Sequence, residues 1–192
     1  VQFEVIKDAK SQPLFGLETL PVYFLAWTTT PWTLPSNTAL CVGPNIEYVR
    51  VKSFNPYTGA EAIYIVAKAL VSTWFSPKAA ELSLEDYKPG DKLIPFKVLD
   101  GTFKGSELVG IRYHQLIPWF KPLEGDAFRV IPGDYVSIDE GTTGIVHIAP
   151  TFGADDKKVA TAAGIPPMMV LDKNGNMQPQ IEEFNNGIWK TM

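Results

Sequence analysis

Cysteine is nearly absent from this 192-residue sequence: Cys41 stands alone, accompanied by only two histidines, His114 and His147. A single thiol excludes an internal disulfide, and with two distant imidazoles it offers no zinc-ligand spacing, so no structural metal is expected. No apolar run reaches the ~18 residues that cross a bilayer, and the opening VQFEVIKDAK lacks the apolar core of a signal peptide. A surplus of positive charge is missing as well. Lys and Arg number 17 against 21 Asp and Glu, a formal net charge of −4. That balance argues against a domain that grips duplex phosphate by itself, which needs a basic face, but leaves contact with a nucleic-acid end open. The chain also begins at Val1 instead of Met. It reads as a piece of a longer soluble, cytoplasmic protein, with residues 1–192 as a single domain.

Hydrophobic residues make up 45% and charged residues 20%, enough apolar side chain for a sizeable core. Glycine (15) and proline (16) are spread along the chain and cut it into short segments, as a many-stranded β architecture requires. Strand-like runs fall at 22–29, 38–42, 47–52, 62–66, 92–99, 107–113, 128–131, 144–149 and 168–172, with a further run, FEVI, near the start. In EYVRVK, period-two alternation puts Arg50 and Lys52 on one face. Two helices are predicted, one from about Ala67 to Trp74 and one after the break at Pro150–Gly153. The second carries Asp155 and Asp156 in its first turn and stops at Gly164. A short turn over Glu81–Tyr87 and a hairpin at Asn174-Gly175 complete the reading. The expected fold is mainly β with peripheral helices and a barrel-like core.

Two stretches stand out chemically. In Ala26-Trp-Thr-Thr-Thr-Pro-Trp-Thr-Leu-Pro-Ser-Asn37, four threonines follow an apolar strand and run into a proline-bounded loop. Such a loop offers hydroxyls and methyls together, although threonine also simply suits a strand end. In Gly141-Thr-Thr-Gly-Ile-Val-His-Ile-Ala-Pro-Thr-Phe-Gly-Ala-Asp-Asp156, a strand histidine precedes a helix that starts with two aspartates. The C-terminal end of a strand and the N-terminus of the helix after it face one crevice, so His147 and an aspartate can both border it. A carboxylate there would suit a substrate ammonium. The plainer alternative stays open: a hydrogen-bonded core histidine, and acids that complement a helix dipole. His114 reads as a surface or packing residue, and Lys157-Lys158 as a solvated helix face. Nucleotide-binding, metalloprotease and nucleophile-elbow motifs are all missing.

Taken together, WTTTPWTLPSN at 27–37, GTTGIVHIAPTFGADD at 141–156 and VLDKNGN at 170–176 resemble the editing domain of isoleucyl-tRNA synthetases, a large insertion in the class I catalytic domain. ELVGIRYHQLIPWF at 107–120 is similar to the segment that joins the two motifs. Valyl and leucyl relatives carry arginine where this chain has Thr30, which points the resemblance to the isoleucyl branch. The resemblance covers essentially the whole chain. The amino-acid-activating motifs of the parent enzyme are absent, so ATP chemistry would belong to the remainder of the parent.

What the resemblance implies is hydrolysis of valine wrongly esterified to the tRNA for isoleucine. An isoleucine pocket rejects valine by only roughly two orders of magnitude, a limit already established for this very type of synthetase, so a second, smaller sieve is needed. By the same resemblance Thr28, Thr29 and Thr30 line the acyl and ribose site, and Thr33 and Asn37 continue that loop. Trp32 with His147 limits side-chain size, and Asp156 holds the α-ammonium. The implied partners are the aminoacylated 3′ end of tRNA, its valine and the rest of the synthetase, with no membrane, no metal and no cofactor. Phe152 departs from the pattern, since many bacterial members have a second histidine there. Two other functions remain open at this point: capture of an aminoacyl-adenosine without turnover, and a hydrolase with a Ser or Thr nucleophile.

Overall fold

The computed structural model describes residues 1–122, 124–176 and 178. Its elements in chain order are β1 (Gln2–Glu4), α1 (Gln12–Phe15), β2 (Val22–Leu25), β3 (Ala39–Val42), β4 (Glu47–Phe54) and β5 (Glu61–Ala67). Then come α2 (Val71–Trp74), β6 (Phe96–Lys104), α3 (Gly105–Leu108), β7 (Arg129–Pro132), β8 (Ile145–Ile148) and α4 (Ala154–Ala162). Five strands form one sheet in the order β1-β2-β5-β4-β6, and three form a smaller one in the order β7-β3-β8. Most contacts are antiparallel, but β2 runs parallel to β5 and β3 parallel to β7. The expectation of a mainly β chain with peripheral helices holds. Among the described residues the ladders make two open sheets instead of a closed barrel, laced together by single bridges such as Trp27 to Val146 and Arg112 to Arg129.

The alternation in β4 does what period two demands. Val49, Val51 and Ser53 are buried on one face, whereas Arg50 and Lys52 lie half-buried on the other, which they share with the buried Tyr48. There the Lys52 ammonium reaches Glu18 at 3.1 Å and Glu61 at 3.6 Å. The principal core gathers Phe3, Phe24, Leu40, Tyr48, Ile63 and Ile65 with their neighbours between the sheets. A second core seats Ala160 and Ile165, from α4 and its exit, on Ala39, Cys41, Ile131 and Ile148 of the small sheet. Burial pushes the Cys41 thiol up to about 11, so it packs as an apolar group and not as a nucleophile.

Some local expectations need correction. Residues 107–113, expected as a strand, begin inside α3, because the Glu107 carboxylate accepts the Lys104 N–H at 2.7 Å and starts a helical turn. Only Arg112 and Tyr113 are extended, as single bridges. Ala67 ends β5, and the helix predicted from it splits into a 3₁₀ turn (Lys68–Leu70) and α2. Residues 81–87 form turns and bends, as expected. The helix α4 also stops as expected, with Gly164 in the left-handed region at φ +67°. The Asn174-Gly175 turn is closed by hydrogen bonds from Asp172 N–H to the Asn176 carbonyl and from Gln178 N–H to the Val170 carbonyl.

One buried hydroxyl ties the two sheets where β8 starts. Tyr48 donates to the Gly144 carbonyl at 2.5 Å and accepts the Gly43 N–H at 3.1 Å. Gly144 itself needs to be glycine: its φ is +74°, and a Cβ there would stand 2.5 Å from that of Ala67. Tyr48→Phe leaves both backbone groups unpaired and is expected to cost ~1–3 kcal/mol, read as a lower urea midpoint at unchanged m-value.

Candidate functional site

After β2 the chain stays extended through Trp27, whose backbone bridges Val146, and then turns at Thr28–Thr30. Pro31 sets the first φ of a 3₁₀ helix, Pro31–Ser36, that carries the loop back to β3. On the other side, β8 ends at Ile148 and α4 begins at Ala154. The Asp156 carboxylate accepts the Ala149 N–H at 2.8 Å, so it fastens the helix to the strand end instead of capping its own helix. Between the two segments lies a cleft of about 380 Å³. It is lined by Trp27, Thr28, Thr29, Thr30, Thr33, Val146, His147, Ala149, Phe152, Gly153 and Asp156.

Six of the eight residues singled out from the sequence therefore share one cavity. Asn37 and Trp32 do not line it. Asn37 is buried behind His147, and Trp32 is 48% exposed with its ring 4.9 Å from that of Phe152, which does line the cleft. Any limit that Trp32 sets on side-chain size is transmitted through Phe152. Asp155 is exposed at the start of α4, so of the two aspartates only Asp156 borders the cavity. His114 is exposed, as expected.

Behind the cleft, a chain of hydrogen bonds has only one consistent direction. The Tyr113 hydroxyl donates to Asn37 Oδ1 at 2.7 Å, and Asn37 Nδ2 donates to the Ala39 carbonyl at 2.8 Å. The same Nδ2 lies 3.3 Å from His147 Nδ1. An amide nitrogen can only donate, so Nδ1 is the accepting nitrogen and the neutral ring carries its proton on Nε2. From there it donates to Thr33 Oγ1 at 2.9 Å, which donates in turn to the Thr30 carbonyl at 2.9 Å. Burial lowers the His147 pKa to about 4, which keeps the ring neutral at pH 7. Both nitrogens are engaged, and His147, 6% exposed, meets the cleft as a wall and not as a base.

Asp156 is half-buried, and desolvation raises its pKa, partly offset by the Ala149 hydrogen bond. A carboxylate held this way in a partly dry cleft favours a cationic partner. At the rim, Thr28 Oγ1 accepts the Thr30 N–H at 3.1 Å and lies 3.4 Å from Thr30 Oγ1, which keeps the threonine turn compact. Two residues that sequence reasoning missed hold the walls together. Ser36 and Thr151 both donate to the Met168 carbonyl, the latter at 2.9 Å, so the segment leading into VLDKNGN clamps the two halves of the site. Tyr113 was missed too, although a tyrosine in an otherwise apolar run signals a buried hydroxyl in want of a partner. Among the described residues no three His, Cys, Asp or Glu side chains cluster as metal ligands.

No protein-family model matches the chain. Individual sequences do. It is 65% identical over 160 residues to an isoleucine–tRNA ligase of Bacteroides fragilis, covering 83% of this chain and 14% of that protein. To those of Cytophaga hutchinsonii and Mycobacterium tuberculosis it is 56% and 38% identical, covering 94% and 93% of this chain. The chain thus spans about one seventh of the length of these relatives. Among solved structures, the editing domain of the Plasmodium knowlesi cytosolic leucyl-tRNA synthetase superposes with a TM-score of 0.60 at 17% identity, covering 82% of this chain and 59% of that one. The P. falciparum counterpart gives 0.51 at 16%, covering 98% and 70%.

The fold is that of a synthetase editing domain. The sequence places this chain in the isoleucine–tRNA ligase family, as a segment with that fold. No helix among the described residues is long and apolar enough to cross a membrane.

The neutral form of His147 is favoured by folding, so its folded pKa lies below the ordinary 6.5. The stability it contributes is complete above pH ~6.5 and drains away as the pH falls towards 4. In urea titrations between those pH values, His147→Gln is expected to lose stability less steeply than the parent chain.

Proposed function

We propose that this segment hydrolyses the ester joining valine to the 3′ end of the tRNA for isoleucine, acting as the second, smaller sieve of its parent synthetase. The observation that carries the reading is the cleft. Threonine hydroxyls and methyls, a neutral imidazole wall and one desolvated carboxylate, drawn from segments more than 100 residues apart, converge on a single cavity.

In this reading Asp156 binds the α-ammonium of the aminoacyl group and so fixes its orientation. Thr28, Thr29 and Thr30 contact the acyl and ribose groups, their methyls tolerating the two branches of valine. The His147 ring, held from behind by Asn37 and Thr33, stands where one more methylene would clash. Because His147 has no nitrogen left for a proton, water is positioned by the site and by the neighbouring ribose hydroxyl, and catalysis rests on orientation. The proposal invokes no metal, cofactor or covalent enzyme intermediate. The mild negative charge fits a domain that receives one single-stranded end while the rest of the synthetase holds the tRNA body.

The same lack of a base favours a second reading, in which the segment by itself captures an aminoacyl-adenosine without turnover. Deacylation of valyl- against isoleucyl-tRNA by the full-length synthetase separates the two. Asp156→Asn is expected to lower valyl deacylation at least ~30-fold, the effect of deleting one partner of a desolvated charge pair. It should hold or raise the urea midpoint, since the raised pKa marks the ionised carboxylate as costly to the fold at neutral pH. Undiminished deacylation would remove Asp156 from the site. His147→Ala is expected to admit isoleucyl esters. If the ratio of valyl to isoleucyl hydrolysis stayed constant, the ring would not be the sieve.

A further inference from the structure

The residues that line the cleft do not fix their own geometry. Tyr113 is not among them: it is buried, 1% exposed, at a single bridge to Val5. Its backbone N–H donates to the Phe128 carbonyl at 3.1 Å, and the Phe128 N–H donates to the carbonyl of Thr38, the neighbour of Asn37, at 2.7 Å. Phe128 makes both contacts with φ at +61°, in the left-handed region that a bulky side chain adopts at a cost. The rings of Phe3 and Phe128 meet that of Tyr113 edge-on, with centroids 5.3 and 6.2 Å away. A strained backbone and two aromatic contacts thus hold one hydroxyl at a set distance from one amide.

That hydroxyl decides between two arrangements of the same network. Thr33 can donate or accept, and Asn37 can turn its amide over, so a neutral His147 has a satisfied partner in either tautomer. With Tyr113 donating to Oδ1, Asn37 Nδ2 faces His147 Nδ1, the ring proton sits on Nε2, and the Thr33 hydroxyl donates to the Thr30 carbonyl. In the reverse arrangement Oδ1 takes a proton from Nδ1 and Thr33 gives its own to Nε2. The Thr30 carbonyl then keeps the Thr33 backbone N–H, at 3.1 Å, and loses the hydroxyl. A turned amide would also present Nδ2 to Tyr113, stranding the tyrosine proton, and would set Oδ1 against the Ala39 carbonyl. Removing the tyrosine hydroxyl deletes the first of these penalties and leaves Oδ1 without a proton as long as the amide does not turn.

We infer that Tyr113 is a positioning residue for size discrimination in the cleft, its hydroxyl selecting the His147 tautomer that lets Thr33 pin the threonine turn. The inference rests on the proposed function, which makes the His147 ring the size-limiting wall. A ring in one tautomer beside a pinned turn has one shape, and such a wall can refuse a single methylene. A ring that alternates releases Thr30 for part of the time and blurs that limit.

The test reads the ring and the reaction separately. Imidazole nitrogen NMR shifts of this chain tell a protonated ring nitrogen from a bare one. The unmodified chain is expected to show His147 with its proton on Nε2; a proton on Nδ1 overturns the inference before any substitution is made. Tyr113→Phe should add a second set of His147 signals with the proton on Nδ1. In the full-length synthetase the same variant should keep valyl deacylation within ~3-fold of the parent, while the ratio of valyl to isoleucyl deacylation falls at least ~5-fold, part of what one methylene is worth. Ile111→Val loosens the core two residues away without removing a polar group, and should move neither the tautomer nor the ratio. A single tautomer retained in Tyr113→Phe, a ratio that stays constant, or an equal fall in Ile111→Val overturns the role of Tyr113 alone. A parent synthetase that leaves valyl-tRNA intact overturns the editing reading, and the discrimination role falls with it.

Discussion

Everything about the candidate site depends on keeping one imidazole neutral and immobile. His147 sits in the short strand β8 with little access to water, and a protonated ring there would need a counter-charge that the surroundings do not supply. The structure instead surrounds it with groups whose hydrogen-bonding sense is fixed. Tyr113 orients Asn37, Asn37 orients the ring, and the ring orients Thr33, which anchors the turn at Thr30. A polar chain satisfied at every step can be buried at little cost and confers rigidity, whereas one missing member would leave a costly unpaired group.

This division of labour separates shape from charge. The histidine side of the cleft is neutral and shape-determining, and the helix side carries the one half-buried carboxylate. A pocket that must accept a smaller side chain and refuse a larger one benefits from walls that cannot relax, since a single methylene is worth only about 1–3 kcal/mol. In the proposed role, a fixed carboxylate opposite such a wall gives the substrate a point of reference, so that size is judged from a constant origin.

Local chemistry made much of this visible before any coordinates. The alternation in β4, the acidic first turn and glycine stop of α4, and the placing of His147 and an aspartate about one crevice follow from short-range pattern, whereas the threonine loop and the choice of Asp156 came from the family resemblance. What sequence could not supply was long-range satisfaction. Nothing near Tyr113 announces Asn37, 76 residues away, and nothing near Ser36 announces the Met168 carbonyl. The resemblance gave Trp32 a size-limiting role, and the 3₁₀ turn sets its ring on Phe152 at the edge of the cleft. The 107–113 run failed for a local reason, since a glycine and a well-placed glutamate turned a β-like pattern into a helical start.

The contact between Thr33 and His147 spans 114 residues of chain, and the small sheet that frames it places β3 between β7 and β8. A threonine loop made early must wait, with its strand unpaired on both sides, until the later half of the chain arrives. Pairings of such large sequence separation close slowly and after local ones. As the polypeptide emerges from the ribosome, the early segments can settle into hairpins while the cleft does not yet exist. The site is therefore a late product of folding, with no cleft to receive a ligand until β8 and α4 have docked.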